Sequence, residues 1–287
     1  MSEPGGTEGV GRGFRRTLGT LGTLGTLGAL LVAGIVGAAL IAPFIVPFDP
    51  AAQELPLRLE GPTANHWFGL DELGRDILSR VLLGARVSLL VGLVVVGVSA
   101  TVGTAMGAIA GYYGGRVDQI ISRVMDVLLA FPGLLLAIAL VAVLGPSLGN
   151  VVLALTLIGW VGYARLVRGQ VLRAREFEYV VAARALGAGT WRTLSRHVLP
   201  TALPAVTVQA TLGMAGAILS EAALSFLGLG VQPPTPSWGS MINGGRAHLL
   251  DAPHLTVFPG IFLALVVLGF NFVGDGLRDR LDPKTDR

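Results

Sequence analysis

The chain lacks cysteine altogether, has a single lysine, and carries few charged residues of either sign. The absence of cysteine excludes disulfides, a thiol nucleophile and thiolate metal ligands. The one lysine, Lys284, follows Asp282 and Pro283, whereas a P-loop places its lysine after a glycine-rich turn so that it reaches nucleotide phosphates. Because the sequence contains no P-loop, any ATP hydrolysis coupled to this protein is carried out by another chain.

Metal-dependent chemistry has little support either. None of the four histidines belongs to an H-E-x-x-H motif. His248 and His254 lie near Asp251 in the sequence, which leaves a shared metal site open, but solvated loop residues are the simpler interpretation. We therefore predict no catalytic residue and no metal site in this chain.

Long apolar blocks dominate the sequence. Of the 287 residues, 52% are hydrophobic and 14% are charged, against about 25% charged in soluble domains. Each block approaches the roughly 20 residues that a helix needs to cross a bilayer. The pattern predicts an all-α integral membrane protein with about six transmembrane helices. The blocks are 24–46, 87–110, 127–144, 148–164, 203–227 and 255–273.

These blocks divide the chain into five parts. Residues 1–23 are predicted to be a disordered cytosolic tail, and 24–46 an uncleaved first transmembrane helix, since the block is longer than a signal-peptide core. Residues 47–86 form an external segment. Residues 87–275 form a five-helix core that includes a cytosolic loop at 165–200, and 276–287 form a second cytosolic tail.

The positively charged residues indicate the orientation. With both termini inside, sixteen Arg and Lys residues are cytosolic and five are external, as the positive-inside rule requires. The same distribution explains the basic character of the chain, whose net charge is only +3. We therefore expect a lipid bilayer as a partner and no nucleic acid.

The external segment contains a second periodic pattern. Residues 68–88 place apolar side chains at helical spacing, with Asp71, Arg75 and Arg80 among the charges on the other face. This spacing predicts an amphipathic helix at the membrane surface or against neighbouring helices.

Three carboxylates lie in or near the spans, where buried charge marks ion or substrate pathways. They are Asp126, Glu221 and Asp275. Glu221 lies deepest and is the best candidate for the translocation path, although packing against another helix explains it equally well.

The cytosolic loop contains a capped helical hairpin. Residues 176–186 favour a helix, Gly187 and Gly189 provide a stop that tolerates the left-handed conformation, and Thr190 suits the N-cap of a second helix. That helix is expected to run to His197, and Pro200 marks the entry into the fifth span.

This loop resembles the "EAA" loop of ABC importer permeases. The motif positions are occupied by Ala182, Ala183, Gly187, His197, Leu199 and Pro200. The family commonly has Glu where this chain has Val181. Residues 66–89, 111–132 and 219–239 narrow the resemblance to the "C" permeases of dipeptide, oligopeptide and nickel importers, apart from Leu70, where that branch usually has Thr.

The resemblance implies a type I ABC importer permease fold in a bacterial inner membrane. It also implies a second homologous permease, two ABC ATPase subunits that use ATP and Mg, and an external solute-binding protein. No cofactor is bound by this chain itself. The EAA loop would dock on the ATPase, with Gly189 in its turn and with Arg184, Arg192 and Arg196 available for ion pairs.

The stiff outer segment 232–238, with Pro233, Pro234 and Trp238, would be an outer gate or a contact for the binding protein, or merely a connection between spans. Peptides are the implied solute, with nickel chelates or glutathione as alternatives. A proton-coupled secondary transporter and a scaffold without transport remain the rivals from other classes.

Overall fold

The computed structural model describes residues 22–281, and the described chain is almost entirely helical. Of the predicted tails 1–23 and 276–287, residues 1–21 and 282–287 lie outside the described residues, whereas 22–23 and 276–281 are helical and extend the first and last spans. The helices are α1 Gly22–Ile45, α2 Ile77–Tyr113, α3 Gly115–Leu129, α4 Gly133–Leu144, α5 Leu148–Ala174, α6 Glu178–Ala185, α7 Thr190–Thr193, α8 Leu199–Phe226, α9 Trp238–Gly245 and α10 His254–Leu281. Five long apolar segments can cross a membrane, and the bent pair α3–α4 makes a sixth. The prediction of an all-α membrane protein with about six spans is confirmed.

The connections between the helices lie at two opposite ends of the bundle. Residues 46–76 and 227–253 meet at one end, which we name the loop end. Residues 175–198 lie at the other, the arginine-rich end, against the last turn of α2 and the first turn of α8. Every span therefore connects the two ends.

The packing of α2 on α5 depends on glycine. Gly103, Gly107 and Gly111 recur every fourth residue along α2, and a Cβ at any of them would collide with the backbone or side chains of α5. Small residues at this spacing allow two membrane helices to approach closely, where packing rather than hydrophobic burial drives association. This contact forms the centre of the bundle.

The third span is broken, which the sequence did not predict. The expected straight helix at 127–144 is interrupted at residues 130–132, and the helices on either side of the break differ in direction by 83°. Pro132 lies just before α4 and has no N–H to donate to a continuous helix. The twelve residues of α4 span only about 18 Å, so α4 does not cross the bilayer alone.

Helix α3 is amphipathic and is attached to α5 by two ion pairs. Arg168 donates to both carboxylate oxygens of Asp118, with a distance of 2.6 Å from Nη2 to Oδ2. Arg165 Nη2 lies 2.6 Å from Asp126 Oδ1, with both side chains more than half exposed. Asp126, a candidate for ion coupling, is therefore paired at the arginine-rich end.

Helices α4 and α5 form a tight hairpin, and its turn is capped. Ser147 is the N-cap of α5, where its Oγ accepts a hydrogen bond from the backbone N of Asn150 at 3.1 Å. The letters of 145–149 also match the G-x-S-x-G spacing of hydrolases. Here, however, the serine follows a helix rather than a strand, and its hydroxyl is used for capping.

The predicted amphipathic helix at 68–88 is wrong. Residues 68–76 are not helical, and the helix that begins at Ile77 continues directly into the second span. Gly69 and Gly74 adopt φ of +78° and +73°, a left-handed conformation that interrupts a helix. Asp76 then caps α2 by accepting a hydrogen bond from Ser79 N at 2.8 Å.

The charges of this segment are buried in pairs instead of facing water. Asp71 Oδ2 lies 2.7 Å from Arg75 Nε and 3.4 Å from Arg80 Nε. His66 Nδ1 lies 3.0 Å from Asp76 Oδ1. The alternation of apolar and charged residues thus reflects a folded turn in which the charged side chains pair inside the loop end.

Candidate functional site

The EAA loop forms a short helix with a well-defined stop. At the end of α6, the N–H of Gly187 donates to Arg184 O at 2.9 Å and the N–H of Ala188 donates to Ala183 O at 3.0 Å. These two backbone hydrogen bonds form the Schellman motif, which needs a residue with left-handed backbone conformation at the position of Gly187. Gly187 has φ of +85°, as predicted. The turn is therefore fixed by backbone hydrogen bonds.

Two details of the predicted hairpin are wrong. Gly189 has φ of −65° and is itself the N-cap of α7, while Thr190 is the first helical residue and makes no capping bond. The second helix also does not end before the membrane. It passes through a π-helical turn, Leu194–Val198, into α8 without a break, with Pro200 in the first turn of α8. The loop is thus helically continuous with the fifth span.

The inner face of the loop is packed into the bundle. Val180, Leu194 and Val198 are fully or almost fully buried against α2 and α5. Arg184 Nη2 donates to Arg175 O at 2.8 Å, and Arg175 Nη1 donates to Gly111 O at 3.1 Å. Arg184 is therefore a brace between α6 and the end of α5, a role that its charge alone did not indicate.

The outer face of the loop exposes two large apolar side chains. Leu186 is 89% exposed and Trp191 is 79% exposed, on either side of the turn. The sequence argument missed both residues, although a tryptophan in an otherwise polar loop was the available signal. Ala182, Gly187, Gly189, Arg192, Arg196 and Pro200 are exposed on the same loop, and Ala183, His197 and Leu199 are partly buried.

Glu221 is enclosed within the bundle. Its side chain has 0% exposure, and it accepts hydrogen bonds from Ser88 Oγ at 3.0 Å and Ser225 Oγ at 2.7 Å. The hydroxyl of Ser237 also interacts with it. Glu221 therefore connects α2, α8 and the start of α9. This arrangement supports the hypothesis that Glu221 packs against other helices. Asp275, the third carboxylate, is exposed near the end of α10.

The outer segment divides into exposed and buried parts. Pro233 and Pro234 are exposed; Pro233 lines a charged cavity at the loop end, and Pro234 lines an apolar groove of about 900 Å³ between α1 and α2. Trp238 has no exposed surface, and its Nε1 donates to Val81 O at 3.0 Å. Trp238 is thus a core residue, and its burial contradicts the predicted contact with a binding protein.

Polar groups also occur in the middle of the bundle. A cavity of about 270 Å³ between α2, α4, α5 and α8 is lined by Ser99, Tyr163 and Gln209, among others. Ser99 Oγ is buried and has no hydrogen-bond partner among the described residues. Tyr163 Oη donates to Gln209 O at 3.4 Å. Because polar groups are expensive within a membrane, they mark a solute path more often than a lipid-facing surface.

His248, His254 and Asp251 do not converge. His248 Nδ1 lies 3.5 Å from Asp251 Oδ2, whereas His254 Nε2 faces Leu70 O at 3.3 Å. Among residues 22–281, no group of three or more His, Asp or Glu side chains is arranged to hold a metal ion.

The fold and the braced loop define a multi-pass membrane permease. The description "Binding-protein-dependent transport system inner membrane component" matches residues 103–287, well over half of the chain. The chain belongs to this family, and it is the membrane-spanning permease subunit of an importer that depends on a binding protein.

Named relatives match most of the chain. A dipeptide transport system permease protein (DppC) of Alkalihalophilus pseudofirmus is 48% identical over 255 residues, covering 89% of this chain and 84% of the relative. A glutathione transport system permease protein (GsiD) of Pectobacterium atrosepticum is 46% identical over 256 residues, covering 89% and 85%. The resemblance to the C-type peptide permeases is confirmed.

A solved structure supports the fold. The inward-facing methionine ABC transporter MetNI contains a chain that superposes with a TM-score of 0.58 at 17% identity, covering 72% of this chain and 98% of the other. The type I importer permease fold is therefore confirmed. The family also answers the question left open by the sequence in favour of a binding-protein-dependent importer rather than a proton-coupled transporter.

Proposed function

We propose that this chain forms, with a second homologous permease, the translocation path for short peptides, and that residues 178–200 dock on an ATPase subunit that supplies the energy. The observation that carries the proposal is the exposed turn at Leu186 and Trp191 on a loop whose other face is packed into α2 and α5. An exposed aromatic anchor on a rigid support is typical of the centre of a protein interface.

The rigid support explains how docking would be transmitted. Because α7 continues into α8 through Leu194–Val198, a displacement of the loop moves the fifth span as one body. Arg192 and Arg196 remain exposed for ion pairs with the partner, while Arg184 is engaged by Arg175 O. The loss of Glu at Val181 removes one exposed pair, which contributes only about 0–1 kcal/mol.

Short peptides are proposed as solutes because the curated relatives described above carry dipeptide and glutathione transport in their names. Nickel chelates have no comparable support. The cavity lined by Ser99, Tyr163 and Gln209 offers neutral hydrogen-bonding groups to a peptide backbone inside the membrane. With the loop on the ATPase side, both termini face the cytoplasm and the loop end faces outward.

The docking surface can be tested by replacing one exposed tryptophan with alanine at each end of the bundle. Trp191→Ala is expected to weaken the binding of the ATPase subunits to the nanodisc-embedded permease at least tenfold, since loss of a central aromatic anchor costs about 2 kcal/mol or more. Trp67→Ala removes an exposed tryptophan at the loop end and is expected to leave that affinity unchanged. Unchanged affinity in both variants would contradict docking through this turn.

Transport itself is tested in proteoliposomes that contain the whole complex. Uptake of a labelled dipeptide is expected to require ATP and the loaded binding protein, and to be insensitive to a protonophore. Uptake driven by a proton gradient alone would contradict the proposal.

A further inference from the structure

A small charged cavity lies at the loop end, apart from the loop and the mid-bundle cavity described above. Its volume is about 230 Å³, and it is enclosed by the turn before α2, residues 228–235 and α9. The charged side chains that line it are Asp71, Glu72, Arg75 and Arg80. The cavity is smaller than the roughly 300–1,000 Å³ of pockets for drug-sized ligands, so it suits a molecule the size of an amino acid or a short peptide.

Arg75 carries unused hydrogen-bonding capacity into this cavity. The residue is only 8% exposed, and its Nε donates to Asp71 Oδ2 at 2.7 Å. Among residues 22–281, no protein oxygen accepts a hydrogen bond from either of its Nη groups. Neither Nη is among the buried polar atoms without a partner in that part of the chain, so both open onto the cavity. The parallel N–H groups of a guanidinium fit a carboxylate.

Arg80 also has an N–H group without a hydrogen-bond acceptor in the described part of the protein. It is 5% exposed, and its Nη1 donates to Pro50 O at 3.0 Å. Its Nε lies 3.4 Å from Asp71 Oδ2 but makes no hydrogen bond within the described chain, and it is among the few buried polar atoms there without a partner. One carboxylate, Asp71, is therefore shared by two buried guanidinium groups.

Glu72 supplies the opposite charge on another wall. Its side chain is half-buried, and its carboxylate faces the backbone at Gly244, where a Cβ would lie 3.3 Å from Oε1. With Asp71 and Glu72 against Arg75 and Arg80, the lining has both signs and no net charge. A simple anion can meet the free Arg75 Nη groups but leaves the Glu72 carboxylate without a partner, whereas a ligand with one charge of each sign can meet both.

We propose that this cavity is a binding site for a small zwitterion, an amino acid or a dipeptide with a free ammonium and a free carboxylate. The ligand carboxylate accepts from Arg75, and its ammonium donates to Glu72. The exposed residues Gln232, Pro233 and Thr235 form the entrance. The role of the cavity as an external holding site for solute depends on the proposed transport of peptides and on the proposed orientation. The binding of a zwitterion to the cavity depends on neither of them.

Binding is tested on the detergent-purified complex, without ATP and without the binding protein, by equilibrium dialysis with labelled glycylglycine. N-acetylglycylglycine, which lacks the ammonium, and glycylglycine amide, which lacks the carboxylate, are the competing probes. The zwitterion is expected to bind at least tenfold more tightly than either blocked form. Equal binding of the acetylated form would reduce the site to an anion site, and absence of saturable binding would overturn the proposal.

Two variants locate the binding. Glu72→Gln is expected to weaken glycylglycine binding at least tenfold, whereas N-acetylglycylglycine, which has no ammonium to lose a partner, should bind at least as tightly as before. Glu60→Gln makes the same charge change at an exposed position outside the cavity lining and serves as the matched control. Thr235→Trp, which fills the entrance, is expected to abolish binding. If glycylglycine binds equally well to Glu72→Gln and Thr235→Trp, the ligand occupies another site and the proposal fails.

Dipeptide uptake by the wild-type complex separates this proposal from the proposed function. ATP-dependent uptake without saturable binding to the permease would leave the transport function intact and overturn the zwitterion site. Zwitterion binding without any uptake of dipeptides would support the zwitterion site and contradict the proposed transport of peptides.

Discussion

Gly187 shows how a single residue determines the shape of the coupling loop. Its φ of +85° is reached by glycine without strain, and a Cβ there would meet nothing within 4 Å. Any penalty for substitution is therefore conformational and not steric. For an L-residue in the left-handed region this penalty is about 1–2 kcal/mol, enough to change the population of the turn without unfolding the membrane bundle.

A pair of alanine substitutions tests this residue. Gly187→Ala is expected to reduce the ATPase activity that the loaded binding protein stimulates in proteoliposomes, because the Schellman turn is strained. Gly189→Ala, two residues away at φ of −65° and also with nothing within 4 Å, is expected to reduce it much less, because alanine adopts that backbone conformation without strain and loses only the small N-cap preference for glycine. Gly187→Asn, which tolerates the left-handed conformation, should retain more activity than Gly187→Ala. Equal activity of all three variants would show that the turn geometry is not needed for coupling.

The helices of the loop end are joined by one buried carboxylate. Glu221 on α8 accepts hydrogen bonds from Ser88 on α2 and from Ser225 one turn further along α8. Ser225 Oγ in turn accepts from Val231 N at 3.2 Å, which holds the start of the outer segment. The position of that segment therefore depends on Glu221 through two successive hydrogen bonds, and the residue has a structural reason to be present within a span.

Two substitutions distinguish this structural role from a role in the path. Glu221→Ala leaves the hydroxyls of Ser88 and Ser225 without their acceptor, so we expect the solubilised permease to lose about 1 kcal/mol per hydrogen bond. Glu221→Gln retains one acceptor oxygen and is expected to transport with normal affinity and rate. Leu219→Ala, on an exposed position of the same helix, is the control for thermal unfolding. Impaired transport by Glu221→Gln at normal stability would favour contact with solute instead.

The helices that the sequence predicted well are those in which one physical signal dominates. Uninterrupted apolar runs identified the spans that became α1, α2, α5, α8 and α10, because no other structure satisfies the backbone in lipid. The bend at 130–132 was missed, since a proline between apolar residues is also compatible with a continuous membrane helix. The turn at 68–76 was missed because helical spacing of leucines does not reveal that Gly69 and Gly74 are left-handed or that Asp71 and Arg75 pair in the interior.

The candidate docking loop, like the fold, was predicted only in part. Gly187 was correctly assigned because only a few residue types tolerate a left-handed stop. Thr190 was wrongly assigned as a cap, since a hydroxyl marks a helix start only when the backbone at that residue is still extended, and here that residue is Gly189. The exposure of Leu186 and Trp191 depends on which face of α6 and α7 packs on the bundle, and an eight-residue helix is too short for its sequence to define a face.

The two ends of the whole molecule differ in the kind of charge they carry, and this difference supports the proposed orientation. At the arginine-rich end, Arg173, Arg192 and Arg196 are exposed. At the loop end, Arg75 and Arg80 are buried among carboxylates. The other three arginines assigned to the outside are exposed, but exposed arginines are more numerous at the arginine-rich end, which the positive-inside rule places in the cytoplasm.

The absence of cysteine makes this orientation directly measurable. Leu186→Cys and Leu250→Cys place single thiols at side chains that are 89% and 99% exposed, at the arginine-rich end and the loop end respectively. In right-side-out membrane vesicles, a membrane-impermeant maleimide is expected to label Leu250→Cys rapidly and Leu186→Cys only after the vesicles are permeabilised. The cysteine-free chain is the blank. Because each span of the bundle connects the two ends, the reverse labelling pattern would place the docking turn outside the cell, where no ATPase can reach it, and would contradict the proposed coupling together with the external position of the zwitterion site.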